Sequence, residues 1–128
     1  MTLVGESVLV VEDNEKNMKL FRDVLQATGY SPLEASSGEA ALALAAESDP
    51  ALVLMDIQLP DMDGVEALRR LREDERTAGI PVLALTAQAM QGDRERFLAA
   101  GFDGYLSKPV DVAELMATVR RHCDGEPE

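Results

Sequence analysis

The sequence predicts a doubly wound α/β domain, five parallel strands alternating with five helices. Short, uninterrupted apolar runs recur from end to end, as strands buried on both faces require. Amphipathic stretches of helical period separate them, and Gly, Pro and Asp punctuate the junctions. Such βα units with short connections favour a parallel sheet covered by helices on both sides.

Ser7-Val8-Leu9-Val10-Val11 is the first expected strand. A helix follows from about Glu15, with Met18, Phe21, Val24 and Leu25 on one side and Gly29 placed to end it. Tyr30 to Ala35 reads as a weaker strand near an edge, because Pro32 cannot donate to a ladder. Ser37-Gly38 opens the alanine-rich helix Glu39 to Glu47, and Asp49-Pro50 stops it. Ala51 to Met55 forms the third strand and runs into Asp56. After the loop from Ile57 to Gly64, a helix carries Val65, Leu68 and Leu71. Pro81 to Leu85 is the fourth strand, ending at Thr86. A polar helix is expected from roughly Gly92 to Ala99, with Gly101 after it. Asp103 to Leu106 is a short fifth strand just before Lys108. In the last helix Asp111 and Glu114 suggest a capping box, and Val112, Leu115, Met116 and Val119 recur at helical spacing.

The 128 residues are expected to form a single domain, with a core over about 7–122 and a polar tail over 123–128. Twenty-four acidic against 12 basic residues give a net charge of -12, which lacks the basic footprint of nucleic-acid binding. Arg69, Arg70 and Arg72 lie among Glu66, Glu73 and Asp74 and read as a solvated helix face. The lone Cys123 allows no internal disulfide, and no run approaches a membrane span or a signal peptide, so a cytoplasmic setting is expected. His122 reads as a surface residue or a cation at the end of the last helix, and Met55, Met62 and Met90 as packing or loop residues.

Parallel sheets bind ligands beyond the carboxyl ends of their strands. The first strand there runs into Glu12-Asp13, the third into Asp56, the fourth into Thr86, and the fifth precedes Lys108. Any one of these is ordinary for a strand end meeting solvent; their segregation by charge is not. Crowded carboxylates repel one another unless a cation or protons intervene, and Mg²⁺ suits a site of few carboxylates and retained waters. Asp13 and Asp56 are the expected direct ligands. Glu12 could bind directly or through water, and a backbone carbonyl such as that of Gln58 could add an oxygen. A carboxylate beside such an ion, with a hydroxyl and an ammonium nearby, suits phosphoryl transfer onto Asp56, with Thr86 and Lys108 meeting the phosphoryl oxygens.

Four segments carry a family resemblance: Val10-Val11-Glu12-Asp13-Asn14, Leu54-Met55-Asp56-Ile57-Gln58-Leu59-Pro60, Leu85-Thr86-Ala87 and Tyr105-Leu106-Ser107-Lys108-Pro109. In this order the sequence resembles the receiver domains of two-component response regulators over residues 7–122, and Glu12 to Phe21 and Met55 to Pro60 add a likeness to single-domain cell-cycle members. The resemblance implies a flavodoxin-like sheet of order 2-1-3-4-5. It makes Asp56 the phosphoacceptor, Glu12 and Asp13 part of a Mg²⁺ site, Thr86 and Lys108 phosphoryl contacts, and the Lys108-Pro109 peptide cis. Tyr105 would be a switch aromatic that turns inward as Thr86 moves; taken by itself it is a half-buried strand tyrosine. The implied partners are a histidine kinase or histidine phosphotransferase and a downstream protein, met through the surface of the fourth helix, fifth strand and fifth helix. The implied chemistry is limited to the protein's own phosphorylation and dephosphorylation. Gln58 and Gln88 fall where the family varies and are implied to tune phosphoryl lifetime; oligomeric state is left open.

Two other classes fit poorly. An aspartyl phosphatase would resemble Asp-x-Asp, but position 58 is Gln. A flavin module would need a Ser/Thr/Gly-rich loop where Glu12-Asp13-Asn14 stands.

Overall fold

The computed structural model describes residues 6–87 and 93–124. Gln88, Met90 and Gly92 lie outside the described residues, as does the tail from 125 onward. The elements alternate as β1 (Ser7–Val11), α1 (Glu15–Ala27), β2 (Ser31–Ala35), α2 (Gly38–Ser48), β3 (Leu52–Asp56), α3 (Gly64–Glu73), β4 (Val82–Thr86), α4 (Asp93–Ala100), β5 (Gly104–Ser107) and α5 (Val112–Asp124). The strands form one parallel sheet of order β2-β1-β3-β4-β5. Pro32 accordingly sits on an edge strand, as its missing N–H requires.

Side-chain alternation divides the core into two layers. Leu9, Val11, Val53, Met55, Val82 and Ala84 pack with Ala41, Ala45, Ala67, Leu68, Leu71 and Phe97 of α2, α3 and α4. Val8, Val10, Leu52, Leu54, Leu83, Leu85 and Leu106 pack with Met18, Phe21, Leu25, Leu115 and Val119 of α1 and α5. Every residue of β3 and β4 is buried, which is why those strands read as unbroken apolar runs. Helix α1 ends at Gly29 with φ 92°, where Tyr30 donates to the Leu25 carbonyl at 2.9 Å and Gly29 to that of Gln26 at 3.2 Å.

Several expectations from helical spacing need correction. Val65 is 38% and Val112 43% exposed, so both point away from the core. Each occupies the first turn of its helix, on the side turned away from the buried residues of α3 and α5. The inward face of α3 is Gly64, Ala67, Leu68 and Leu71, and that of α5 is built on Leu115, Thr118 and Val119. Arg69 and Arg70 are exposed and ion-paired to Glu66, but Arg72 is not merely solvated. Its guanidinium donates to the carbonyls of Ala78, Ile80 and Gly101 and to Asp103, tying α3 to the approaches of β4 and β5. His122 is half-buried; burial, then Arg121, lowers its pKa against the opposing pull of Asp103. His122 shares the last turn of α5 with Arg121.

The corrected face of α5 sets an expected outcome. Leu115→Ala should lower stability by about 2–5 kcal/mol. Val112→Ala should change it by roughly 0.5 kcal/mol or less. Urea unfolding midpoints at constant m distinguish them, and equal losses would contradict the described face.

Candidate functional site

The carboxyl ends of β1, β3 and β4 and the segment after β5 meet at one cleft of ≈ 560 Å³. Glu12, Asp13, Asp56, Gln58, Thr86 and Lys108 all line it. Glu12 is 2% exposed and Asp56 6%, while Asp13 is exposed. Carboxylate oxygens of Glu12, Asp13 and Asp56 lie within 4.8 Å of one another. This is the one group of three or more His, Cys, Asp or Glu residues so arranged among the described residues. A cavity of ≈ 590 Å³ at the opposite end of the sheet, lined by Glu6, Ser7, Asp49 and Arg76 among others, lacks such a group.

Lys108 enters from the far side. Its Nζ lies 2.9 Å from Asp56 Oδ2 and 2.8 Å from Glu12 Oε1. Its backbone N–H donates to the Thr86 carbonyl at 2.8 Å, extending the β4–β5 ladder and fixing the root of the side chain. The Lys108–Pro109 peptide is cis. Burial alone would lower the lysine's pKa, but Glu12 and Asp56 outweigh it and hold the ammonium above its ordinary range. For Glu12, burial and the Asp56 charge push the carboxyl up, against the opposing pull of Lys108 and the Asn14 N–H.

The backbone around Asp56 is pinned at three points. The Gln58 N–H donates to Asp56 Oδ1 at 2.9 Å, so Gln58 meets the site through its amide. Gly64 opens α3 directly against the strand: its N–H donates to the Ile57 carbonyl at 2.7 Å, and a Cβ there would stand 2.5 Å from the Asp56 carbonyl oxygen. Only glycine fits that approach. Asp61, at the tip of the loop, accepts from Gly38 N at 2.8 Å and Glu39 N at 3.0 Å, and Ser37 Oγ accepts from Ala40 N. The first turn of α2 is thereby capped from a loop 23 residues away, which satisfies N–H groups that have no partner within the helix. These two N–H groups hold the Asp61 carboxyl below its ordinary range.

Tyr105 stands apart. It is half-buried, its ring 6.0 Å from that of Phe97 on α4, and it lines a separate ≈ 440 Å³ cavity with Leu98, Arg121 and His122. Thr86 and Tyr105 nonetheless share one sheet face, because Ala84 pairs with Tyr105 and Thr86 with Ser107. Arg96 of α4, which nothing in the sequence pattern singles out, also lines the cleft.

The donor set suits a hard divalent cation. All three acids offer oxygen, and the Lys108 ammonium ion-pairs with two of them, Glu12 and Asp56. Glu12 Oε1 is buried without an aligned hydrogen bond, even though Lys108 ion-pairs with it. An oxygen in that state is a ready ligand.

A twisted parallel sheet with this acidic cleft at its carboxyl edge defines a class. Residues 8–120 match the family model of the response regulator receiver domain, and the chain belongs to that family. More particularly, it is 49% identical over 117 residues to the polar-differentiation response regulator DivK of Brucella ovis, covering 91% of this chain and 95% of that one. The receiver domain of sensor histidine kinase PA1611 from Pseudomonas aeruginosa PAO1, solved with a magnesium ion coordinated in its active-site cleft, matches with a TM-score of 0.86 at 38% identity. That match covers 94% of this chain and 98% of the other. The chemotaxis response regulator CheY4 of Vibrio cholerae matches with a TM-score of 0.85 at 28% identity, over 91% and 98% of the two chains. No helix among the described residues is long and apolar enough to cross a membrane.

The charge balance has a measurable signature. Without divalent ions, the Glu12 carboxyl should titrate above an ordinary glutamate, and Lys108→Met should raise it further by removing a cation that lowers it. A carboxyl whose folded pKa is raised contributes stability at low pH that is lost as pH rises through the folded value. Carboxyl ¹³C shifts across a pH titration check both; a Glu12 midpoint that falls in Lys108→Met would contradict the arrangement.

Proposed function

We propose that this receiver works in a phosphorelay, with Asp56 accepting a phosphoryl group from a phosphohistidine on a histidine kinase or histidine phosphotransferase. The observation that carries the reading is the buried Asp56 carboxylate, held by the Lys108 ammonium and the Gln58 N–H at the closed end of the acidic cleft. A carboxylate has about four acceptor sites, and these two contacts leave room for attack. An Asp56 oxygen attacks phosphorus, and the P–N bond breaks. A donor imidazole protonated on its other nitrogen leaves neutral, keeping the bond's electron pair.

Asp13 and Asp56, with Glu12 directly or through water and the Gln58 carbonyl as a further oxygen, are the proposed Mg²⁺ ligands. The ion would neutralise charge on the transferring oxygens. The magnesium reported for the PA1611 receiver domain and the geometry of the three acids support that assignment. Lys108 stabilises the same charge from the other side, and the Thr86 hydroxyl donates to a phosphoryl oxygen. The likeness to DivK supports a role in polar differentiation and cell-cycle signalling.

Thr86 moving toward the phosphoryl group would vacate space on the face that bears Tyr105, where the small Ala84 lies directly opposite. Tyr105 then turns inward from Phe97, and the surface of α4, β5 and α5 changes for a downstream protein partner. The chemistry is confined to the protein's own phosphorylation and dephosphorylation.

Acetyl phosphate with Mg²⁺ should add one phosphoryl group by intact mass, and Asp56→Asn should abolish the gain. Beryllofluoride with Mg²⁺ should shift amides of α4, β5 and α5 as well as the cleft. A gain retained in Asp56→Asn, or shifts confined to the cleft, would overturn the corresponding half of the reading.

A further inference from the structure

We infer that Arg96 is a specificity-determining residue of the cleft, a second cation that favours anionic phosphodonors; this rests on the phosphoacceptor reading above. The described charged residues lining the cleft are Glu12, Asp13, Asp56, Lys108 and Arg96. Lys108 is 19% exposed in its side chain and already bridges Glu12 and Asp56. Its positive charge is therefore largely engaged within the pocket, and Arg96 is the other described cation that lines the cleft. The whole chain carries -12, so an incoming phosphoryl dianion meets repulsion on approach as well as inside.

Arg96 lines the cleft from α4, along with Thr86 and Ala87 at the end of β4, whereas Glu12 and Asp13 come from the end of β1. A donor entering between them has a cation on one flank and the acids on the other. The guanidinium carbon lies 4.9 Å from the Phe97 ring centroid, a contact that restrains an otherwise long, exposed side chain. Phe97 itself is buried against Phe102 and neighbours Tyr105, so the base of this cation is anchored in the core.

The arrangement makes opposite demands on the two ligands of the cleft. Arg96 attracts the anionic donor and repels a divalent cation. Removing its charge should weaken the first and tighten the second, which general damage to the fold would not do. Arg96→Gln should raise the half-saturating acetyl phosphate concentration for Asp56 phosphorylation about fivefold, the size expected for one partly solvated charge pair, with a smaller change in maximal rate. Mg²⁺ should bind Arg96→Gln more tightly than wild type when followed by amide shifts. Arg96→Lys should restore most of the donor affinity, and Arg76→Gln, an equal charge change at the opposite end of the sheet, should leave it unchanged.

An Arg96→Gln protein with wild-type half-saturation overturns the inference, as does one that loses donor and Mg²⁺ affinity together. Equal impairment in Arg96→Gln and Arg96→Lys overturns it too. Wild-type protein that gains no phosphoryl group at saturating acetyl phosphate defeats the underlying reading itself, whereas labelled wild type beside an unaffected Arg96→Gln defeats only the role of Arg96.

Discussion

Like charge held at close quarters is the constraint on which this molecule turns. Three carboxylates from two neighbouring strand ends share a space in which their oxygens lie within 4.8 Å. Two of the acids are buried, where water screens their repulsion poorly. The Lys108 ammonium divides its contacts between Glu12 and Asp56. Such a cluster costs folding stability, and it survives because the surrounding sheet is over-determined: β1, β3 and β4 are almost wholly buried and ladder to one another. The same unmet charge makes the cleft receptive to a divalent cation, which links the energetic cost of the fold to its proposed chemistry.

The supports around the cluster show how a short chain holds it still. Gly64 lets α3 start against the Asp56 backbone, Asp61 ties the intervening loop to α2, and the Lys108 N–H continues the β4–β5 ladder to the point where the ammonium must project. Each support uses backbone groups at an element's end, which would otherwise need partners. Arg72 does the same on the opposite side of the layer, collecting carbonyls from two loops. Positioning therefore comes from helix and strand termini more than from the two apolar layers, which chiefly supply stability.

Much of this was legible in the residues alone. Buried parallel strands announce themselves as apolar runs, and their carboxyl ends place Glu12, Asp13, Asp56, Thr86 and Lys108 together once the alternation is recognised. What was not legible depends on long-range geometry. Asp61 looks like any loop acid until α2 is brought beside it, and Arg72 like any surface arginine until the turns before β4 and β5 converge on it. Val65 and Val112 follow a helical period but are exposed, while Gly64, Ala67 and Leu68 of α3 and Leu115 of α5 take the inward face. Arg96 belongs to a polar helix with little apolar pattern, so only the packing of α4 brings it to the cleft. Tyr105 lies in a neighbouring cavity, joined to Thr86 through the shared face of the sheet.

The claim that the acidic cluster is frustrated until a cation joins it is tested most directly by stability measured with and without magnesium. Asp13 is the informative position, because it is exposed and the ammonium of Lys108 contacts the other two acids. In metal-free buffer Asp13→Asn should unfold at a higher urea concentration than wild type. Added Mg²⁺ should raise the wild-type midpoint and move that of Asp13→Asn far less. A wild-type midpoint indifferent to Mg²⁺, with Asp13→Asn no more stable in its absence, would contradict the account.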